Sequence, residues 1–300
     1  MSSKKSPAQV SRRAFCASVP ALGATLSLSA SASQKKELRN TDVYEYLKSL
    51  DGGWVDWEKT VDTFKSGDPE GIVKGIAVGW MSYTESLRRA EKLGCNLFVT
   101  HEPTYYDHWD NDESFFRFKS AREKKQYIEE SGVTILRCHD MWDQYPKIGI
   151  PEAWGKLLEL GEPIDGAGWY YVYDGAGATA ANIATGMAAR LAPFGQPGVQ
   201  LIGPPDIPVK RLVLGCGAIT PMFEFIEKYR ADMAICTDDG FTYWREGAFA
   251  VDAGFPVAIV NHPVAEENGA RLLAEHLAQV FPQVPVHHVP QRCMYRLYTA

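Results

Sequence analysis

The sequence predicts an α/β fold: two similar lobes of largely parallel sheet flanking a cleft, with a smaller region inserted between them. Three observations predict it. From Thr41 onward, short β-rich runs alternate with amphipathic helical stretches, the pattern of strands joined by crossover helices. Three such strands end at a histidine, and ligands of open α/β sheets gather at strand carboxyl ends. Apolar residues make up 45% and charged residues 23% of the 300, an ordinary globular balance with chain enough for a buried core.

In chain order, Ile72 to Met81 reads as a strand and Tyr83 to Leu93 as a helix closed by Gly94. Asn96 to Thr100 is a short apolar strand, stopping at His101-Glu102-Pro103. Glu113 to Ser131 reads as one helix with Gly132 beyond it, and Val133 to Cys138 as the strand before His139-Asp140. Residues Tyr145 to Pro208 are richer in Gly, Pro and Ala, with helical patterns at Ala153–Leu160 and Ala178–Leu191. Strands at Arg211–Leu214, Met233–Cys236 and Pro256–Val260 then alternate with helices at Met222–Arg230, Thr242–Ala253 and Glu266–Phe281. The expected lobes are therefore 33–144 and 209–300, with 145–208 as the middle region.

Residues 1–32 read as a leader outside the fold. Lys4, Lys5, Arg12 and Arg13 form a basic start, Ala14 to Leu28 is mildly apolar, and Ala30-Ser31-Ala32 offers small residues for cleavage. Ser11-Arg12-Arg13-Ala14-Phe15 resembles a twin-arginine export signal, so the expected location is outside the cytoplasm, periplasmic or extracellular. The formal net charge is −6, from 31 basic and 37 acidic residues; loss of the four leader cations deepens it to −10. So acidic a chain has no electrostatic case for nucleic acid or an anionic membrane surface.

Of the six cysteines, Cys16 lies in the leader and the others, at 95, 138, 216, 236 and 293, show no C-x-x-C spacing. That spacing indicates neither a thiolate zinc site nor a dense disulfide frame, and four of the thiols fall in apolar segments where a buried, inert side chain is expected.

The chemistry is expected at the strand ends. His101 follows Leu97-Phe98-Val99-Thr100, His139 follows Thr134 to Cys138, and His262 follows Val257 to Asn261. Each brings carboxylates: Glu102 beside His101, Asp140 and Asp143 after His139, Glu266 and Glu267 after His262. Imidazole with several carboxylate oxygens suits divalent zinc, manganese or iron, and carboxylates can bridge two ions roughly 3.5–4 Å apart. Taken singly, each cluster also reads as a turn, a strand cap or a helix N-terminus; the threefold repetition favours one shared site. Weaker candidates are Asp239 in Thr237-Asp238-Asp239 and the turn Gly215-Cys216-Gly217. Tyr105, Tyr106, His108 and Trp109 form either an aromatic rim for a ring-bearing substrate or a subunit contact.

These motifs resemble the NIF-three-like dinuclear metal-centre proteins, also labelled GTP cyclohydrolase type-two-like. Thr100-His101-Glu102-Pro103 is similar to that family's S-H-H-P, His139 to Asp143 to its H-x-x-x-D, and His262 to Glu266 to its H-x-x-x-E. The similarity spans roughly Asp42 to Val289, including Gly149–Leu160, Val199–Gly217 and Asp232–Ala253. It implies a metal cleft binding two divalent ions (manganese, iron or zinc) through His101, Glu102, Asp143, His262 and Glu266, with Asp143 and Glu266 shared. Glu102 stands where the family has a second histidine, and its harder, charged oxygen shifts preference toward manganese, iron or magnesium. His139 is then expected behind the ligands, orienting one of them or a bound water.

The expected activity is hydrolysis by a metal-activated water, with His108 and His139 as the unassigned histidines near enough in sequence to act as acid or base. The resemblance suggests a purine nucleotide or phosphoester as the small-molecule substrate. An amide-type bond is equally open, and nucleotides are scarce outside the cytoplasm. The competing expectation is a non-catalytic metal-binding scaffold or metal-handling protein. The resemblance also implies a homo-oligomer, a hexameric ring.

Overall fold

The computed structural model describes residues 37–218 and 220–298, so the expected leader at 1–32 lies outside the described residues. The described residues cluster as one unit. In order, it contains α1 (Asn40–Ser49), β1 (Phe64–Ser66), β2 (Ile76–Gly79), α2 (Thr84–Lys92), β3 (Leu97–Thr100), α3 (Lys119–Ser131), β4 (Thr134–Arg137), α4 (Asp140–Asp143) and α5 (Ile150–Leu157). There follow β5 (Asp165–Ala167), β6 (Tyr170–Thr179), α6 (Ala180–Leu191), β7 (Gln200–Ile202), β8 (Pro208–Gly215), α7 (Met222–Glu227), β9 (Met233–Thr237), α8 (Ala248–Ala253), β10 (Val257–Val260), α9 (His262–Val280) and β11 (Val286–His288). The fold is α/β, as the alternation predicts.

Two sheets result. The first runs β1-β4-β3-β2-β11 and is parallel except at β1–β4. The second runs β5-β6-β8-β9-β10-β7 and is mixed: β8–β9 and β9–β10 are parallel, the other pairings antiparallel. Residues 145–208, expected as a region between the lobes, supply β5, β6 and β7 to this second sheet, and β11 returns to the first. The reason is local: β5 and β6 are joined by two residues, a hairpin that enforces antiparallel pairing.

Every residue of β2, β3, β4, β9 and β10 is buried, as expected where helices cover both faces of a parallel sheet. Helix α2 turns Ser86, Leu87 and Ala90 inward, an i, i+1, i+4 stripe, and leaves its charged residues to solvent. Helix α9 is different: His262 to Ala270 is buried without a break. It packs on β2, β11 and α5, and so carries polar residues into the interior, where each needs a partner.

The helix expected over Glu113–Ser131 breaks at Phe118, whose backbone is extended at φ −85° and ψ 137°. A 3-10 turn, Glu113–Arg117, precedes the break, because Phe115 and Phe116 pack on Tyr106 and Tyr105 at ring separations of 5.7 and 5.2 Å. Arg122 Nη1 then donates to the carbonyls of Phe116 (2.8 Å) and Arg117 (2.7 Å), satisfying groups the broken helix leaves open. Cys95, Cys138, Cys216 and Cys236 are buried free thiols, each held above the ordinary thiol range by desolvation. Among the described residues no helix is long and apolar enough to cross a membrane.

Candidate metal centre

Three strand-to-helix junctions build the site. Past β3, the chain doubles back so that the amides of His101 and Glu102 lie 3.1 and 2.7 Å from the Trp80 carbonyl. Past β4, the Asp62 carboxylate accepts the amides of His139 (2.6 Å), Asp140 (3.1 Å) and Met141 (2.8 Å), serving the open N-terminus of α4 as a cap from a distant loop. That turn puts His139 and Asp143 four residues apart on one side. Past β10, Pro263 sits in the first turn of α9, whose pitch aligns His262 with Glu266.

The junctions converge. His101 Nε2 lies 3.4 Å from Asp143 Oδ1 and 3.3 Å from Glu266 Oε2. His262 Nε2 lies 2.9 Å from Glu266 Oε1 and 3.5 Å from Glu102 Oε1. His139 Nε2 lies 3.7 Å from Glu102 Oε1, and its Nδ1 is 3.4 Å from Asp143 Oδ2. Two triads have ligand atoms within 4.8 Å of one another: His101–Glu102–His139 and Glu102–His262–Glu266. Glu102 belongs to both. His139 therefore stands among the candidate donors, where the resemblance places it behind them, and Asp143 touches the first triad through both its histidines.

The imidazoles are oriented from behind. His101 Nδ1 is 3.2 Å from the Cys138 carbonyl, which only accepts, so Nδ1 carries a hydrogen and Nε2 is the atom turned to the carboxylates. His262 Nδ1 is held by Asp239 Oδ2 at 2.7 Å, and His139 Nδ1 by Asp140 Oδ1 at 2.8 Å. A carboxylate or carbonyl behind each ring is the arrangement that fixes a metal-binding histidine. His101 Nε2, His262 Nε2 and Glu266 Oε1 are buried without a well-aligned hydrogen bond and face only one another and the neighbouring carboxylates, an arrangement that is costly to bury. Atoms left so beside one another fit a bound cation.

Electrostatics agree with that fit. Burial pulls the pKa of His101 down, but Glu266 and Asp143 more than offset it and hold it above the usual value. Burial is likewise outweighed at His262, chiefly by Glu266 and Asp239, and at His139 by Asp143, Asp140 and Glu102. Glu102 is brought down to about 2, His139 and His262 overcoming its burial, whereas burial pushes Asp143 up to about 6. The cluster is rich in negative charge, as a cation site must be.

Above it opens a cavity of about 580 Å³, in the size range of small-molecule sites. His108 stands in its wall, partly exposed, with its ring 5.5 Å from that of His139. It is outside both triads, and burial followed by Arg137 lowers its pKa, which favours the neutral ring.

Three residues absent from the sequence reading complete the centre. Arg137, the last residue of β4, is buried; its Nη2 meets Glu102 Oε2 at 3.2 Å, its Nε donates to the His101 carbonyl at 3.0 Å, and Nη1 donates to that of His108. Trp80 Nε1 donates to Glu266 Oε2 at 2.7 Å. Asp62 is the third. Only Arg137 left a sequence signal, a cation closing an otherwise uncharged strand, Thr134-Ile135-Leu136-Arg137.

Residues 62–292 match the profile of the Duf34/NIF3 (NGG1p interacting factor 3) family. No curated protein matches the chain. Among solved structures, it is similar to the Staphylococcus aureus hypothetical protein SA1388, at 14% identity and a TM-score of 0.68, over 88% of this chain and 100% of that one. A Bacillus cereus protein related to NIF3 matches at 12% identity and 0.68, over 88% and 98%. HcgD from Methanocaldococcus jannaschii matches at 16% and 0.60, over 84% and 98%. At these identities the likeness is one of fold.

Proposed function

This chain belongs to the Duf34/NIF3 family, and from its site we propose that it is a dinuclear metal-dependent hydrolase. The observation that carries the reading is the set of buried donor atoms, His101 Nε2, His262 Nε2 and Glu266 Oε1, that lack well-aligned hydrogen bonds and face one another around two triads joined by Glu102. His101, Glu102 and His139, with Asp143 alongside, would hold one divalent cation; Glu102, His262 and Glu266 would hold the other. Manganese or iron suits this carboxylate-rich set better than zinc.

When bound, such cations acidify a water and polarise the substrate's electrophilic centre. The chain's own residues supply the rest. Arg137 engages Glu102 Oε2 and so fixes the carboxylate that would serve both cations. Trp80 holds the buried Glu266 by donating Nε1–H to its Oε2. His108, in the cavity wall, would be placed to take a proton from an attacking water or to return one to the leaving group.

The test is metal per chain on freshly purified protein beside an Asp143→Ala variant. Nearly two equivalents, falling sharply in the variant, with hydrolysis lost in a His108→Ala variant that keeps its metal, support the enzyme. No metal bound, and none taken up from added manganese, iron or zinc, refutes the centre. Metal without turnover on any ester, phosphoester or cyclic amide would leave a metal-binding scaffold.

A further inference from the structure

We infer that the substrate is a compact, ring-bearing molecule without a polyphosphate chain, gripped between Trp80, Tyr106 and Trp169. The inference rests on the hydrolase reading for what happens to the molecule, and on the cavity alone for what the molecule is. The three aromatic side chains arrive on separate segments: Trp80 directly after β2, Tyr106 beyond β3, and Trp169 from the hairpin between β5 and β6 of the other sheet. All three line the cavity over the two triads.

Two of these rings stand substantially open, Tyr106 even though it also packs on Phe115. Tyr106 is 49% exposed and Trp169 40%, large apolar faces left open beside a buried polar cluster. Tyr106 also sits at φ +73°, in the left-handed region that non-glycine residues rarely occupy. Backbone strain of that kind persists where the surroundings hold a side chain in a needed place. Aromatic faces set around a slot bind planar rings by stacking, whatever the ring's edge pattern.

The charges in the wall select further. Among the described residues lining the cavity none is Lys or Arg, whereas Asp107 and Asp239 stand in it with Glu102 and Asp143. The Arg137 guanidinium behind Glu102 is committed to that carboxylate and to the carbonyls of His101 and His108. A di- or triphosphate needs cationic or amide donors along its length. Here the amide of His262 at the start of α9 is already taken by Asp238 Oδ1 at 2.9 Å. A single polar edge can reach the metal floor; the rest of a phosphate chain would lie against Asp107 and Asp239, which the cations do not engage.

The experiment is calorimetric titration of the metal-loaded full chain with a matched pair, adenosine and adenosine triphosphate, with metal content measured before and after. Adenosine is expected to bind at least as tightly as the triphosphate, and Trp169→Ala and Tyr106→Ala each to weaken it about tenfold at unchanged metal content and unfolding midpoint. Triphosphate binding more than tenfold tighter, or no adenosine binding, overturns the inference. So does adenosine binding that ignores both substitutions while sedimentation shifts, because the rings would then serve a subunit contact. Protein that holds no metal yet binds adenosine through Trp169 supports the slot and removes the hydrolase reading.

Discussion

The guanidinium Nη2 of Arg137 lies 3.2 Å from Glu102 Oε2, with the arginine side chain fully buried and the glutamate nearly so. Glu102 stands where the resemblance expects histidine, so this site carries one more negative charge, and Arg137 brings the matching positive one. Removing one partner of a buried pair strands the other. Arg137→Met is expected to cost about 3–5 kcal/mol in urea denaturation. Adding Glu102→Gln should return part of that loss, since the two changes share one interaction. Strict additivity would show that the pair is not coupled.

Asp239 holds the Nδ1 side of His262 while Asp238 holds its backbone. Asp239→Ala should therefore leave the fold intact and lower metal affinity roughly 10–100-fold, as loss of such a supporting carboxylate does. Competition against a chelator of known strength measures it. Unchanged affinity would mean that His262 is oriented by its own helix.

Helices α5 and α9 approach so closely that a Cβ on Gly269 would come within 2.5 Å of Ile150 Cδ1 and 3.2 Å of Ile150 Cα. Helix propensity alone predicts that Gly269→Ala gains about 1 kcal/mol. Overpacking, at about 1–3 kcal/mol, should win here because the Cα atom cannot rotate away as a side-chain tip can. A net loss of stability, with reduced metal occupancy as α9 shifts His262 and Glu266, is the expected result. A more stable Ala variant would show that α5 yields freely.

Lys124 is buried, donates to the Thr104 carbonyl, and is pulled by desolvation to a pKa of about 8. The unfolded chain holds that proton to about pH 10.4. Between those values the unfolded state binds more protons, so this group makes stability rise with pH; below about 8 both states are charged and the full burial penalty is present. Wild type should gain about 2 kcal/mol relative to Lys124→Met between pH 8 and 10. Tyr105, pushed up to about 12 by burial, acts in the opposite sense only above about pH 10. Parallel stability curves for the two proteins across that window would show that Lys124 is solvated.

Much of this protein is readable from the chain alone, because the relevant signals are local. Strand and helix alternation shows in residue periodicity, and the strand-end histidines with their following carboxylates, His101-Glu102, His139 to Asp143 and His262 to Glu266, are short-range patterns. What tertiary structure decided lies between segments distant in sequence. Asp62 caps α4 across 77 positions, and Trp80 reaches Glu266 across 186. Short edge strands such as β7 and β11, three residues each, have too little pattern to read and exist because a neighbouring strand offers its open edge. The same logic holds for His139. The sequence places it four residues before Asp143; only the packing of α4 under Asp62 turns its ring toward Glu102, because side-chain direction at a strand end depends on what holds the next turn.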